Sequence, residues 1–212
     1  MTTTTKFFNK YSNPITASQV QQMDSYQVHN FIDGRIKSKD FYIDGQLRKK
    51  SYYLDDDELL SHWVEAFTAK GNFSWSLFFN KEQSGPFVQW EIKTYAKTGE
   101  LKYRNIVVLD EFDQVIFRGD LDLEHDNIMN NMQKHYYVNN PTDRITNELL
   151  AFTYNADGSF RYIHDVQNLY DHIKPLELEA FLADTKFSQQ QFPWDQHPYY
   201  HAATPYLPEG DL

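Results

Sequence analysis

Residues 41–57 read FYIDGQLRKKSYYLDDD, and they contain both a repeated phrase and the point where it fails. Phe31-Ile32-Asp33-Gly34 returns 11 residues later as Tyr42-Ile43-Asp44-Gly45, and once more as Tyr53-Leu54-Asp55-Asp56. Asp-Gly between aromatic and β-branched residues is a hairpin signal, because a two-residue turn needs positive φ and Gly adopts it without steric cost. In the third copy Asp56 replaces Gly and the period changes. Leu59, Leu60, Trp63, Val64 and Phe67 then recur at helical spacing. Asp55 or Asp56 is placed to cap that helix, the acidic run suits its positive end, and Gly71 ends it. The phrase therefore reads as strand scaffold that gives way to a helix.

Working outward, Thr16-Ala-Ser-Gln19 has capping-box spacing and predicts a short helix over about 17–26. From Asn72 to Leu123 the pattern is a strand meander. Phe73, Trp75 and Leu77 alternate with polar residues, and turns fall at Ser84-Gly85-Pro86, Lys97-Thr98-Gly99 and Glu111–Asp113. A hairpin follows over 149–163. Ile128, Met129 and Met132 suggest a helical turn within Asp126–Tyr137. Pro175 with Leu176, Leu178, Phe181 and Leu182 predicts a late helix. Four prolines, at 193, 198, 205 and 208, mark a tail that is either extended and packed by its aromatics or mobile. The expected class is α+β: a curved antiparallel meander with two or three helices packed on one face, with barrel closure left open. The expected organisation is one domain over 1–192 followed by the tail, 193–212.

Composition narrows the function classes. There is no run of 18 apolar residues to span a membrane, and the N-terminal stretch lacks the apolar segment of a secretory signal. The absence of cysteine excludes disulfides, thiolate metal sites and cysteine nucleophiles, and fits the cytoplasm. The net charge of −10 is uneven: residues 1–54 carry 8 Lys/Arg against 4 Asp/Glu, and residues 55–212 carry 12 against 26. Such a body repels a phosphate backbone, so nucleic acid is not the expected partner; a basic protein is attracted.

Three segments, the first within 41–57, share one grammar: Phe41-x-x-x-Gly45-x-Leu47, Tyr95-x-x-x-Gly99-x-Leu101 and Tyr154-x-x-x-Gly158-x-Phe160, with Leu109-x-x-x-Asp113-x-Val115 as a looser fourth. This unit resembles that of MORN-variant and YD-type repeat proteins, some of which are bacterial antitoxin or immunity proteins. The resemblance implies a scaffold of hairpins and brings no catalytic residues with it.

Several constellations are candidates for chemistry. Asp110, Glu111, Asp113, Asp120, Asp122, Glu124 and Asp126 form an acidic run. On a strand over 115–123, Asp120, Asp122 and Glu124 share one face, which suits a Lys/Arg patch on a partner; the plainer reading is a solvated face. His197-Pro-Tyr-Tyr-His201 has zinc-ligand spacing but lacks the metalloprotease Glu and sits among prolines. His164-Asp165 and Asp171-His172 pair imidazole with carboxylate only as chain neighbours. GxSxG, GxGxxG and the P-loop pattern are absent. No catalytic residue, metal or cofactor is assigned. Trp75, Trp90, Tyr95 and Tyr103, within a wider aromatic excess that includes Tyr136, Tyr137, Tyr199 and Tyr200, are candidates for a hydrophobic ligand pocket; filling a core is their commoner fate. The leading expectation is a non-catalytic, immunity-like protein that occludes a basic partner through an acidic, aromatic surface. The alternative is a small-ligand-binding sheet or barrel protein, with or without an enzymatic activity.

Overall fold

The turn chemistry at the repeated phrase sets the first half of the fold. In the computed structural model, Asp33 and Gly34 have φ of 46° and 79°, and Asp44 and Gly45 have 49° and 69°. Positive φ at both central positions is the type I′ geometry that matches strand twist. These turns join β3 (Ser25–Ile32), β4 (Arg35–Ile43) and β5 (Gln46–Tyr53), so the 11-residue step is one nine-residue strand plus its turn. The other units of the grammar fold differently. At Ala96, Asp110 and Asn155 the backbone N–H donates to the carbonyl four residues on, and Gly99, Asp113 and Gly158 occupy the left-handed position. That is a three-residue hairpin loop, and one sequence grammar thus hides two turn geometries.

The structure describes residues 1–125, 129–137, 148–166, 175–183 and 192–209. They fall into two compact units, one of residues 1–80 and 91–104, the other of residues 81–90 and 105–212. Strands β6 (Ser74–Ser84), β7 (Phe87–Tyr95) and β8 (Leu101–Leu109) run through both. β9 (Val115–Leu121), β10 (Met129–Tyr137), β11 (Glu148–Tyr154), β12 (Phe160–Asp165) and β13 (Pro175–Leu176) follow in sequential order. At the other end β3 pairs with β1 (Thr3–Asn9), which pairs with β2 (Pro14–Ile15). The terminal strands β2 and β13 each have one neighbour, so the meander is not a closed barrel.

In the first unit the loss of Gly at position 56 changes the topology. The chain leaves β5 through helix α2 (Leu60–Lys70) and returns as β6 parallel to β5. α2 ends at Gly71 with φ 61°, as the sequence predicts, but its N-cap is Leu59 with no side-chain bond. The acidic residues are engaged one turn earlier. Lys37 Nζ donates to Asp55 at 2.6 Å and also to Glu58, while Tyr52 OH donates to the other Glu58 oxygen at 2.8 Å. Burial raises the Glu58 carboxyl, but bonds from Lys37, the Asp55 N–H and Tyr52 outweigh it and hold the group below its ordinary value. Its stabilisation is therefore present above about pH 4.5 and is lost as pH falls through the folded value. Glu58→Gln is expected to cost about 1 kcal/mol at neutral pH. In urea titrations its gap from the parent should narrow as pH falls below about 4.5; a gap that stays constant would contradict the assignment. The core of this unit is aromatic: Phe67, Phe73, Trp75 and Tyr95 pack with Tyr52, Leu54 and Leu77.

In the second unit, Phe117, Lys134, Phe152 and Ile163 form one cross-strand row, all fully buried. The segment 192–209 supplies Phe192, Tyr199, Tyr200 and Ala203 to the same core. Lys134 Nζ donates to the carbonyls of Tyr199, Ala202 and Pro205 at 2.6, 2.8 and 2.9 Å and lies over the Tyr199 ring. Tyr154 OH donates to the Tyr200 carbonyl at 2.8 Å. Of the two behaviours expected for the proline-rich tail, residues 192–209 show the packed one.

Two expectations are corrected. The early helix α1 (Ala17–Val20) has the capping box at Thr16 and Gln19 but stops short of 26, because Tyr26, Val28 and Phe31 belong to β3, between β1 and β4. Residues 129–137 are a strand and not a helical turn. A bulge sets two residues of β10, Asn131 and Met132, against Gly119 alone. The extra residue puts Met129 and Met132 both inside, and so imitates helical spacing. The late helix is α3 (Leu178–Ala183), with Pro175 ahead of it in β13.

Candidate functional site

The acidic run is divided by the strand it flanks. Asp110, Glu111 and Asp113 occupy the turn before β9, whereas Asp122 and Glu124 follow its end, roughly 20 Å away by the strand rise. Within the first turn Asp110 Oδ1 accepts from the N–H groups of Phe112 and Gln114, at 2.9 and 2.8 Å. Asp113 takes the left-handed position with φ 62°. Glu111 is exposed, and among the described residues its carboxylate has no bonded partner. Beyond β9, Asp122 Oδ1 accepts from the N–H groups of Glu124 and His125, which hold its carboxyl below the ordinary range. Asp120 accepts from Asn105, Arg118 and Asn131. Asp126 lies outside the described residues.

The four aromatics read as a ligand pocket do not converge. Trp75 stacks on Tyr95, centroids 5.5 Å apart, inside the core of the first unit, and Tyr103 is exposed. Trp90 is buried and belongs to the second unit. None of the four lines the clefts described below. The His197–His201 stretch holds one short 3-10 turn, Pro198–Tyr200, and another, Trp194–Gln196, precedes it. The His197 ring stacks on Phe192, and His201 Nε2 meets the Trp194 carbonyl at 2.9 Å. Burial pushes His197 down, which keeps it neutral at pH 7. His164 and Asp165 sit side by side on β12 with no bond between them, and Asp171 and His172 lie outside the described residues. Among the described residues no three His, Asp or Glu side chains converge on a metal position.

One cleft of the second unit does collect sequence-selected residues. It measures about 340 Å³. Asp110 and Glu111 lie on its wall together with Phe87, Phe112, Tyr136 and Tyr137. His135 also lines it, with Nδ1 at 2.5 Å from Glu148 Oε1. A carboxylate accepts only, so Nδ1 carries the proton and the ring is fixed. Among the described residues the lining contains no Ser, Thr, Cys or Lys to serve as a nucleophile. An aromatic-walled recess beside carboxylates matches the chemistry of a Lys or Arg side chain, which gains ring contact along its stem and charge at its head. His135 and Glu148 carried no signal in the sequence, because they are paired only by the register of β10 and β11.

Among the described residues no helix is long and apolar enough to cross a membrane. No family model, curated protein or solved structure matches the chain.

Proposed function

We propose that this chain is a non-catalytic binding protein of the immunity or antitoxin kind, which neutralises a basic partner protein by occlusion. The observation that carries the reading is the cleft in which Glu111 and Asp110 stand beside Phe87, Phe112, Tyr136 and Tyr137. A Lys or Arg of the partner enters it as the anchor. The surrounding negative charge of a −10 chain steers the encounter. The meander of hairpins is in keeping with the repeat families that the sequence resembles. A cysteine-free chain suits the bacterial cytoplasm, where this reading places it.

Glu111 is the residue to reverse, because Asp110, Asp120 and Asp122 hold their own turns and strands together. The test is capture of a basic protein from the native lysate by parent and Glu111→Lys proteins, at low and high salt. The parent should retain the partner at low salt and release it at high salt, and Glu111→Lys should slow association several-fold. Tyr137→Ala, which empties one wall, should cost about 2 kcal/mol of affinity, the scale of an aromatic hot spot. Retention that ignores salt and both substitutions would sink the proposal; recovery of the chain alone would turn attention to small-molecule ligands.

A further inference from the structure

The sheet face opposite the Lys134 row carries a second cleft, of about 390 Å³, with a different chemistry. Arg118, Gln133, Thr153 and Tyr162 are cross-strand partners on β9 to β12, and all four line it. Side chains alternate along a strand, so with Phe117, Lys134, Phe152 and Ile163 facing the core, this row faces the cleft. Two bulges add to it. The one in β10 brings in Asn131, at φ 50°, and a second in β12, where Thr153 pairs with Tyr162 and Tyr154 with Phe160, sets Arg161 out of the ladder. Bulges re-aim side chains, and here both serve one recess.

Its bonding is incomplete in one direction. Thr153 is only 5% exposed, yet among the described residues its Oγ1 has no hydrogen-bond partner. A buried hydroxyl left unpaired works against folding, and such a group calls for an explanation. Asp120, the one carboxylate of this cleft among the described residues, is taken up by Asn105, by Asn131 at 3.0 Å and by Arg118 at 3.3 Å. Arg161 lies over the Tyr162 ring, 5.3 Å from its centroid, without an ion pair among the described residues. Two guanidinium groups, amides and a hydroxyl around one satisfied carboxylate make a cationic, donor-rich recess in a chain of net charge −10.

We propose that this face binds a small hydroxylated organic anion, a carboxylate or phosphate ester whose charged group meets Arg161 and Arg118 and whose hydroxyl partners Thr153 Oγ1. Planar guanidinium groups match the geometry of both anions, and a recess of this size suits a ligand of sugar-acid dimensions. The site is separate from the aromatic cleft and does not depend on the reading given to that cleft.

The test is isothermal titration calorimetry of the full chain with gluconate, inorganic phosphate and uncharged sorbitol. Saturable binding of gluconate or phosphate at one site is expected, with sorbitol much weaker. Saturation by gluconate alone identifies a carboxylate ligand, and by phosphate alone a phosphate ligand. Arg161→Ala should weaken binding by about tenfold or more, the worth of a charge-assisted hydrogen bond. Thr153→Val, close in shape but without the hydroxyl, should weaken binding several-fold without lowering the melting temperature. Absence of saturable binding by either anion up to about 10 mM would overturn the proposal, as would sorbitol binding as tightly as gluconate, or affinity that both substitutions leave unchanged.

Discussion

Lys134→Ala is expected to lower the stability by about 3–5 kcal/mol, a large part of what a domain of this size has. The side chain is fully buried, and its three N–H donors are matched one to one with the carbonyls of Tyr199, Ala202 and Pro205. Its removal leaves three dry carbonyls and a cavity beneath the Tyr199 ring. Lys134→Met retains most of the volume and separates the two effects; about 2 kcal/mol is expected for the lost bonds alone. Urea unfolding followed by tryptophan fluorescence, with limited proteolysis of residues 192–209, reads both variants. An Ala variant within about 1 kcal/mol of the parent would refute the clamp. A pH effect accompanies it. Burial pushes the Lys134 ammonium down from 10.5 to about 7, against the pull of three carbonyls that favour the charged form. Between the folded value and 10.5 the unfolded chain holds more protons, so this group's contribution to stability rises with pH, and the cost of the buried charge is fully present below about 7. The stability gap between parent and Lys134→Met should widen from neutral to alkaline pH.

Trp75→Ala is expected to have an effect of similar size on residues 1–80 and 91–104, about 3–5 kcal/mol. Trp75 has no exposed surface, and it meets Tyr95 face to face and Phe67 and Phe73 edge-on at centroid distances of 5.5, 6.0 and 6.2 Å. Among the described residues its indole N–H has no partner, so the residue contributes by volume and ring contact. Trp75→Phe keeps the ring contact, removes the orphan donor and should cost much less. Thermal denaturation of the two variants distinguishes a packing role from a ligand-lining one: a well-tolerated Ala would mean that the indole is not holding the core.

Much of this architecture is legible because turns are local. Asp33-Gly34, Asp44-Gly45, Gly99 and Gly158 announce their hairpins through the steric demands of positive φ, which no distant residue alters. The missed elements lacked such signals. β1, with its threonine run, has no alternation to read and is a strand because β3 pairs with it. β10 was obscured by its bulge, whose extra residue imitates helical periodicity. The acidic run is contiguous in the chain, but a seven-residue strand places its two halves at opposite ends.

By itself, then, the sequence determined the class of the fold, the meander from β6 to β9, the hairpin of β11 and β12, the change to a helix at Asp56 and the acidity of the body, since each depends on residues close together in the chain or on a sum over all of them. Tertiary structure alone decided that Lys134 would be buried under the C-terminal segment, that Trp75 would be core, and that Glu111 would share one cleft with Tyr137 and Thr153 another with Arg161. Those outcomes depend on register and on which face a bulge presents. A shift of one residue in pairing exchanges the two faces of a strand, so information local to the strand cannot say which side chains share a cleft.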